Sequence, residues 1–438
     1  MTDCNPTQLE FSSCQGRKVQ ADFNGGNVSS DGGVLLLREV DRRLDLLSRA
    51  AKLFTDDRDQ SKVIHPQESQ LKQRVFALAQ GHEDLNDHDQ LRHDILLQTA
   101  AQKTSPLASS PTLCRMEQRA DRHSAIRLTH LLIELFIESH TQPPDELILD
   151  FDATDDLIHG HQQGAAYNHY YRGYCFLPLY VFCGSHPLCA LLRPSNTDGA
   201  RGAWAILKML VKRLRQVWPQ VRLIFRADSG FCRWRMLRWC EQNDVHYLVG
   251  LARNPRLTGL LQPVLEQAET AFQTNGQKQR LFTWLNYQAD TWDRPRLVIG
   301  KAEHTAKGSN PRYLITNLRG DAHQLYDQVY CPRGDMENRI KEQQLDLFAD
   351  RTSCHRWWPN QHRLMTSTLA YVLMNGLRRL GLKGSDWINK QSGTIRTQLL
   401  KIGAIVIRNT RRIRVHLSSS HPAREIFEQV HRRLREAS

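Results

Sequence analysis

Long apolar runs are absent from this sequence. No stretch approaches ~18 consecutive apolar residues, which excludes a membrane-spanning helix. Paired cysteine motifs are absent too. The ten cysteines stand singly at 4, 14, 114, 175, 183, 189, 232, 240, 331 and 354, so neither a zinc knuckle nor a dithiol redox motif is indicated. Scattered through 438 residues, they read as reduced thiols of a cytoplasmic protein, many packed as small hydrophobes. The first residues, MTDCNPTQLEF, lack a basic start followed by an apolar stretch, so no signal peptide is expected. No internal repeat or low-complexity segment is present. Acid is the scarcer charge. The 46 Asp and Glu face 59 Lys and Arg, for a formal charge of +13 and a pI near 9.4. That excess favours a polyanionic partner, nucleic acid first, over a merely solvated basic surface.

What is present is ordinary globular composition, 40% hydrophobic and 24% charged, which argues against a disordered or fibrous chain. The length suggests roughly two to four domains. Residues 30–47 read as an amphipathic helix with Leu36, Val40, Leu44 and Leu47 on one face. Helical pieces follow at 71–78 and 89–97. Residues 101–111 form a loop, with Ser110 and Pro111 suited to a helix cap and first turn. A strongly apolar helix at 125–137 ends at Gln142-Pro143-Pro144, a first boundary.

Beyond that boundary the texture becomes mixed α/β. Strands are expected at 146–151, 174–182, 188–192, 221–227 and 246–250, with a turn at 184–187. Helices are expected at 200–217 and 233–242. Residues 255–325 read as a β-rich insertion, with strand-like pieces at 297–301 and 313–317. A long helix is expected over 332–348. The region 355–438 reads as helical, with a hairpin at 404–418.

Three acidic positions stand out. Asp150 and Asp152 end the first strand (LILDFDATDD); at period two they point to one side of a sheet. Asp228 ends the fourth apolar strand in the same manner (VRLIFRADSGF), and Glu337 lies inside a helix. Two carboxylates at neighbouring strand ends and one on a packed helix are the oxygen donors that a pair of hard cations needs, and such a pair serves in-line displacement at phosphorus. The competing reading is local: Asp228 as a helix cap, Glu337 as a solvated position paired with Arg333.

Around Glu337 the spacing is Tyr330-x2-Arg333-x3-Glu337-x6-Gln344. This resembles the Tyr-x2-Arg-x3-Glu-x6-Lys signature of bacterial insertion-sequence transposases of the DDE class, with Gln344 in place of the lysine and Lys341 nearby. Asp152-Ala153-Thr154 is similar to that family's Asp-x-Thr, and residues 227–231 (ADSGF) to its second motif. Residues 154–163 (TDDLIHGHQQ) resemble the group called IS thirteen-eighty.

The resemblance extends over most of the chain. It implies a ribonuclease-H-like core whose acids are Asp152, Asp228 and Glu337, with Asp150 in reserve, and bound Mg²⁺ or Mn²⁺. It further implies a nucleoid-associated protein of the bacterial cytoplasm that cleaves transposon ends and joins them to target DNA, with dimeric synapsis. Tyr330, Arg333, Lys341 and Gln344 would position DNA phosphate; at 0, +3, +7 and +14, Tyr330, Arg333, Glu337 and Gln344 share a helical face. Residues 1–144 are then expected to bind ends, 145–354 to form the catalytic core, and 355–438 to form a helical tail.

Weaker features are Arg193 and Arg226, flanking strands where phosphate could bind, the aromatic and basic residues at 167–172, and the basic hairpin around Arg408, Arg411, Arg412 and Arg414. Two other classes stay open on the residues alone: a ribonuclease-H-like nuclease without strand joining, and a non-catalytic DNA-binding protein.

Overall fold

The computed structural model describes residues 8–436. They gather into two compact units, each discontinuous in sequence. One takes the residues up to 120, 346–348 and those from 369 onward; the other takes 121–345 and 349–368.

The first unit opens with a hairpin, Leu9–Cys14 paired to Arg17–Ala21, whose residues are all exposed. Helix Val34–Leu44 follows. It stops where Asp45 turns into the left-handed region (φ 46°), and Leu46–Ala51 continues as a separate helix. Leu36, Val40 and Leu47 are buried as the periodicity predicts. Helix Gln67–Gln80 is buried nearly all round. The helix expected from Ser110 begins one residue earlier than anticipated, with Ser109 as cap and Ser110 and Pro111 in its first turn.

The late part of the chain closes this unit. The Gly32 and Gly33 N–H groups donate to the carbonyls of Ile402 (2.9 Å) and Leu400 (3.0 Å). Lys401 Nζ reaches Asp31 at 2.6 Å, and His82 Nε2 meets the same carboxylate at 2.8 Å. The hairpin Ala404–Arg408 with Ile413–Leu417 is present, and the short strand Val28–Ser29 joins it as a third.

The second unit is built on a mixed sheet. Its strands are β1 (Glu146–Ala153), β2 (Leu179–Cys183), β3 (His186–Leu191), β4 (Arg222–Ala227), β5 (His246–Leu251), β6 (Gln279–Tyr287), β7 (Arg296–Thr305) and β8 (Arg312–Thr316). They lie in the order β3-β2-β1-β4-β5-β8-β7-β6. β1, β4 and β5 run parallel, and every other neighbour pair is antiparallel. The first five strands, in the order 3-2-1-4-5, form the ribonuclease-H-like core that the resemblance implies. The other three extend the same sheet from the β5 edge.

Helices α1 (Arg122–Glu138), α2 (Ala203–Val217), α3 (Trp234–Gln242) and α4 (Pro255–Asn275) cover one face. Leu147, Leu149 and Phe151 point into that core with Leu207, Leu210 and Met236. α1, read from sequence as part of the preceding segment, belongs to this unit because Ile133 and Phe136 complete the same core. On the other face Ile224, Leu248 and Leu314 meet Leu318 and Tyr326.

Three elements depart from expectation. The strand read at 174–182 is two, because Pro178 has no N–H to offer a ladder; Gly173–Phe176 leaves to pair with Asp156–Leu157 and Ala166–Asn168. The segment 255–325 opens with the 21-residue α4, whose Leu257, Leu261, Leu265 and Ala268 make a buried stripe; Pro263 inside it obscured the pattern. The helix expected at 332–348 is part of a longer helical run from Ala322 to Asp346 that changes pitch. It is π-wound at 325–330, 3₁₀ at 331–333, α-helical in α5 (Gly334–Lys341) and π-wound again at 342–346. Among the described residues no helix is long and apolar enough to cross a membrane, and nine cysteines are free thiols, five of them buried.

Candidate active site

Alternation along β1 sends Leu147, Leu149 and Phe151 to the helix-covered face, so Ile148, Asp150 and Asp152 share the other. β1 and β4 pair in parallel register, Asp150 with Arg226 and Phe151 with Ala227. One step further along that register stand Asp152, still paired with Tyr180 of β2 near the end of β1, and Asp228, just past the end of β4.

Asp152 is 8% exposed. Its Oδ1 accepts from the Ala153 N–H at 2.9 Å and its Oδ2 from Arg333 Nη1 at 3.1 Å. Arg333 Nη2 donates to Glu337 Oε1 at 2.8 Å, so one guanidinium bridges the strand-end acid and the helix acid. Burial pushes the Asp152 carboxyl up to about 6 against the pull of Arg333, and the charges of Asp228 and Glu337 add to the rise. Asp228 Oδ1 accepts from the Gly230 N–H at 2.9 Å and caps the turn Ser229–Phe231. The capping role and the Arg–Glu pair weighed against function in the sequence are therefore both present, and neither removes the acids from one neighbourhood.

Asp150 has different partners. Arg226 forks onto it, with Nε on Oδ1 and Nη2 on Oδ2 at 2.6 Å, while Nη1 holds the Val329 carbonyl. Burial raises the Asp150 carboxyl despite this pairing. The expectation that Arg226 and Arg193 meet phosphate is corrected. Both are about 95% buried, and Arg193 donates to the carbonyls of Leu177, Gly199 and Arg201.

The signature helix lies across these strand ends. Met336, Ile340 and Leu347 are buried. The Tyr330 hydroxyl sits over Gly250 of β5: a Cβ there would come within 3.0 Å of it and 2.8 Å of the Ser229 nitrogen. Gly250 was not singled out from sequence, although a lone glycine in an apolar strand is the ordinary sign of close approach. Gln344 donates to the Asp155 carbonyl at 2.8 Å, tying the helix to the loop after the first acid. Lys341 is exposed one turn beyond Glu337.

The motif at 159–163 is a clasp. The Gln163 N–H donates to the His355 carbonyl at 2.8 Å, His355 Nδ1 meets the His161 carbonyl at 2.8 Å, and Gln163 Oε1 accepts from the Trp357 N–H at 3.2 Å. Gly164 (φ +85°) lies so close to Trp357 that a Cβ would be 2.6 Å from its ring. Beside the clasp, Asp156 accepts from Thr352 Oγ1 at 2.9 Å, and burial pushes its carboxyl up to about 8. Tyr167, Tyr170 and Tyr174 stand exposed on the neighbouring small sheet.

Among the described residues no three Asp, Glu, His or Cys side chains are gathered as ligands of one ion. The donor chemistry of Asp152, Asp228 and Glu337 nonetheless suits Mg²⁺ or Mn²⁺: all are carboxylates, and the cation balancing two of them is Arg333.

A 3-2-1-4-5 sheet with carboxylates at the exits of two adjacent parallel strands and a glutamate on a helix beside them places the molecule in the ribonuclease-H-like class. The sequence matches the model of the family "Transposase DDE domain group 1" over residues 11–438, and the chain belongs to that family. It is a DNA transposase, an enzyme of DNA cleavage and strand transfer. Among solved structures it is similar to piggyBac transposase in the cryo-EM structure of its synaptic complex with hairpin DNA. The identity is 12%, the TM-score 0.46, and the match covers 84% of this chain and 79% of that one. No curated protein matches.

Proposed function

We propose that Asp152, Asp228 and Glu337 are the catalytic acids of this transposase, and that it cuts the ends of its own element and joins them to target DNA. The observation that carries this reading is the register that sets Asp228 beside Asp152, together with the Arg333 bridge from Asp152 to Glu337. Asp150, committed to its fork with Arg226, is a structural partner.

The three carboxylates would hold Mg²⁺ or Mn²⁺, which when bound activates the attacking oxygen and stabilises the leaving one. The chain's own groups bind and orient. Arg333 gives up its carboxylates and forks onto a DNA phosphate. Tyr330 steadies the Asp228 turn across Gly250. Gln344 keeps the acid-bearing loop against the helix, and Lys341, exposed nearby, reaches the DNA backbone. The unit holding the N-terminal helices binds transposon ends, two copies assemble in the synaptic complex, and the protein works at the nucleoid of a bacterial cytoplasm.

The test is strand cleavage on the DNA flanking this gene, with Mg²⁺, with Mn²⁺, with EDTA and with Glu337→Gln. Cuts at defined ends, and joined products, that need both the metal and Glu337 are expected. Metal-dependent cutting that survives Glu337→Gln would overturn the assignment, and cutting without any joined product would return the nuclease reading.

A further inference from the structure

One stretch of the chain is without acid. From 387 to 424 there is no Asp or Glu, yet eight basic residues occur: Lys390, Arg396, Lys401, Arg408, Arg411, Arg412, Arg414 and Arg424. Four of them stand on the hairpin Ala404–Arg408 and Ile413–Leu417 or its turn. Arg411, Arg412 and Arg414 are exposed, and no carboxylate partners them among the described residues. Arg408 reaches only a neutral group, Gln98 Oε1 at 2.9 Å. An arginine whose task is stability ordinarily finds a carboxylate or a carbonyl, as Arg193 and Arg226 do.

The hairpin is rigid where it displays these charges. Ala404 and Val406 are buried, and the Val406 N–H donates to the Asn27 carbonyl at 2.8 Å. At the tip the Asn409 side chain accepts from the N–H groups of Arg411 (3.0 Å) and Arg412 (2.8 Å), and its own N–H donates to the Arg412 carbonyl at 3.0 Å. A locked turn presents guanidinium groups with less ordering cost on binding. Ile405 and Ile407 are exposed on the same face as Arg414, so the ribbon offers both charge and apolar surface. A two-stranded ribbon of this kind fits a DNA groove, with arginines on the flanking phosphates. A cleft of about 580 Å³, bordered by Thr104 and residues 408–413, leaves the tip room to approach a rod.

We infer that the hairpin 404–417 is a duplex-DNA-binding ribbon whose Arg411, Arg412 and Arg414 hold backbone phosphates. This rests on the reading of the chain as a DNA transposase, but not on the catalytic trio.

The test is duplex binding by the full chain in EDTA, where nothing is cut, across a salt series. Arg411→Ala/Arg412→Ala/Arg414→Ala is compared with Arg122→Ala/Arg222→Ala/Arg319→Ala, which removes equal charge from exposed sites of the second unit. Each phosphate deprived of its arginine lowers the slope of log K against log salt by about 0.9, so the hairpin variant should drop by up to about 2.7 and bind roughly tenfold or more weakly at moderate salt. The control should change far less, and melting temperatures should match for both. Equal slopes in the two variants would overturn the inference. So would unchanged duplex binding accompanied by lost binding to phosphatidylglycerol vesicles, which would assign the ribbon to a membrane surface. Because cleavage is never read, a failed catalytic assignment leaves this result standing.

Discussion

At the scale of the residue, Arg333 does two jobs that pull apart. It neutralises Asp152 and Glu337 in the structure, yet the proposed chemistry needs those carboxylates for cations. Arg333→Ala should therefore bind Mn²⁺ more tightly, measured by calorimetry, while cleaving on the order of 10²-fold more slowly; weaker metal binding would contradict the bridge as a competitor. Asp150 and Asp152 are separated by a second contrast. Asp150→Ala strands Arg226 in the core and should cost about 3–5 kcal/mol in urea unfolding. Asp152→Asn should keep the fold and lose cleavage. Gln344→Ala tests a tie against a phosphate-binding role: removing a tie lowers the rate roughly tenfold with end affinity intact, whereas removing a phosphate ligand lowers affinity and the salt slope. The placement of Asp152 and Asp228 near strand ends and of Glu337 on a helix was legible in the sequence, because such patterns are local. Arg226 was not, because its partner lies 76 residues away and only β-sheet register brings the two together.

At the scale of the element, the strand order was within reach of the sequence, since alternating strands and helices leave few right-handed solutions. The extension of the sheet was harder. β6 is only half-buried along most of its length, so its alternation is blurred, and α4 hides its stripe behind Pro263. The changes of pitch at 322–346 could not be read from a helical wheel, which assumes 3.6 residues per turn throughout; π-turns of this kind tend to gather at functional sites. Gly250 shows how closely that helix is set on the sheet. The methyl of Gly250→Ala would press on both the Ser229 nitrogen and the Tyr330 hydroxyl. We expect about 1–3 kcal/mol of lost stability, with slowed cleavage that Tyr330→Phe, by removing that hydroxyl, partly relieves. Equal cleavage by Gly250→Ala and the parent would argue against Tyr330 as a steadying group.

At the scale of the whole molecule, pH enters through buried histidine. His88 is fully buried, with Nδ1 beside the Gln73 amide at 3.0 Å, and burial holds its pKa down to about 3. The unfolded chain takes up that proton near pH 6.5 and the folded chain does not. The contribution of His88 is therefore complete above about 6.5 and falls as pH drops toward 3, by up to a few kcal/mol. Urea unfolding at pH 7 and pH 4.5 should show the parent losing a few kcal/mol relative to His88→Asn, against the opposite drift that the raised Asp156 and Asp152 carboxyls give to both proteins.

The discontinuity of the two units carries a consequence for how the protein is made. The helices of the first unit before residue 120 cannot complete it until residues beyond 369 have been synthesised, because Gly32, Gly33 and Asp31 bond partners at 400–402. The second unit, ending at 368, can close before the first. A chain stalled or cut short between residues 369 and 400 would hold the sheet and all three acids while the helices of the first unit stayed unfinished, and it would lack the basic ribbon as well. Such termination should thus yield a protein with the proposed catalytic acids in place and a weakened grip on DNA.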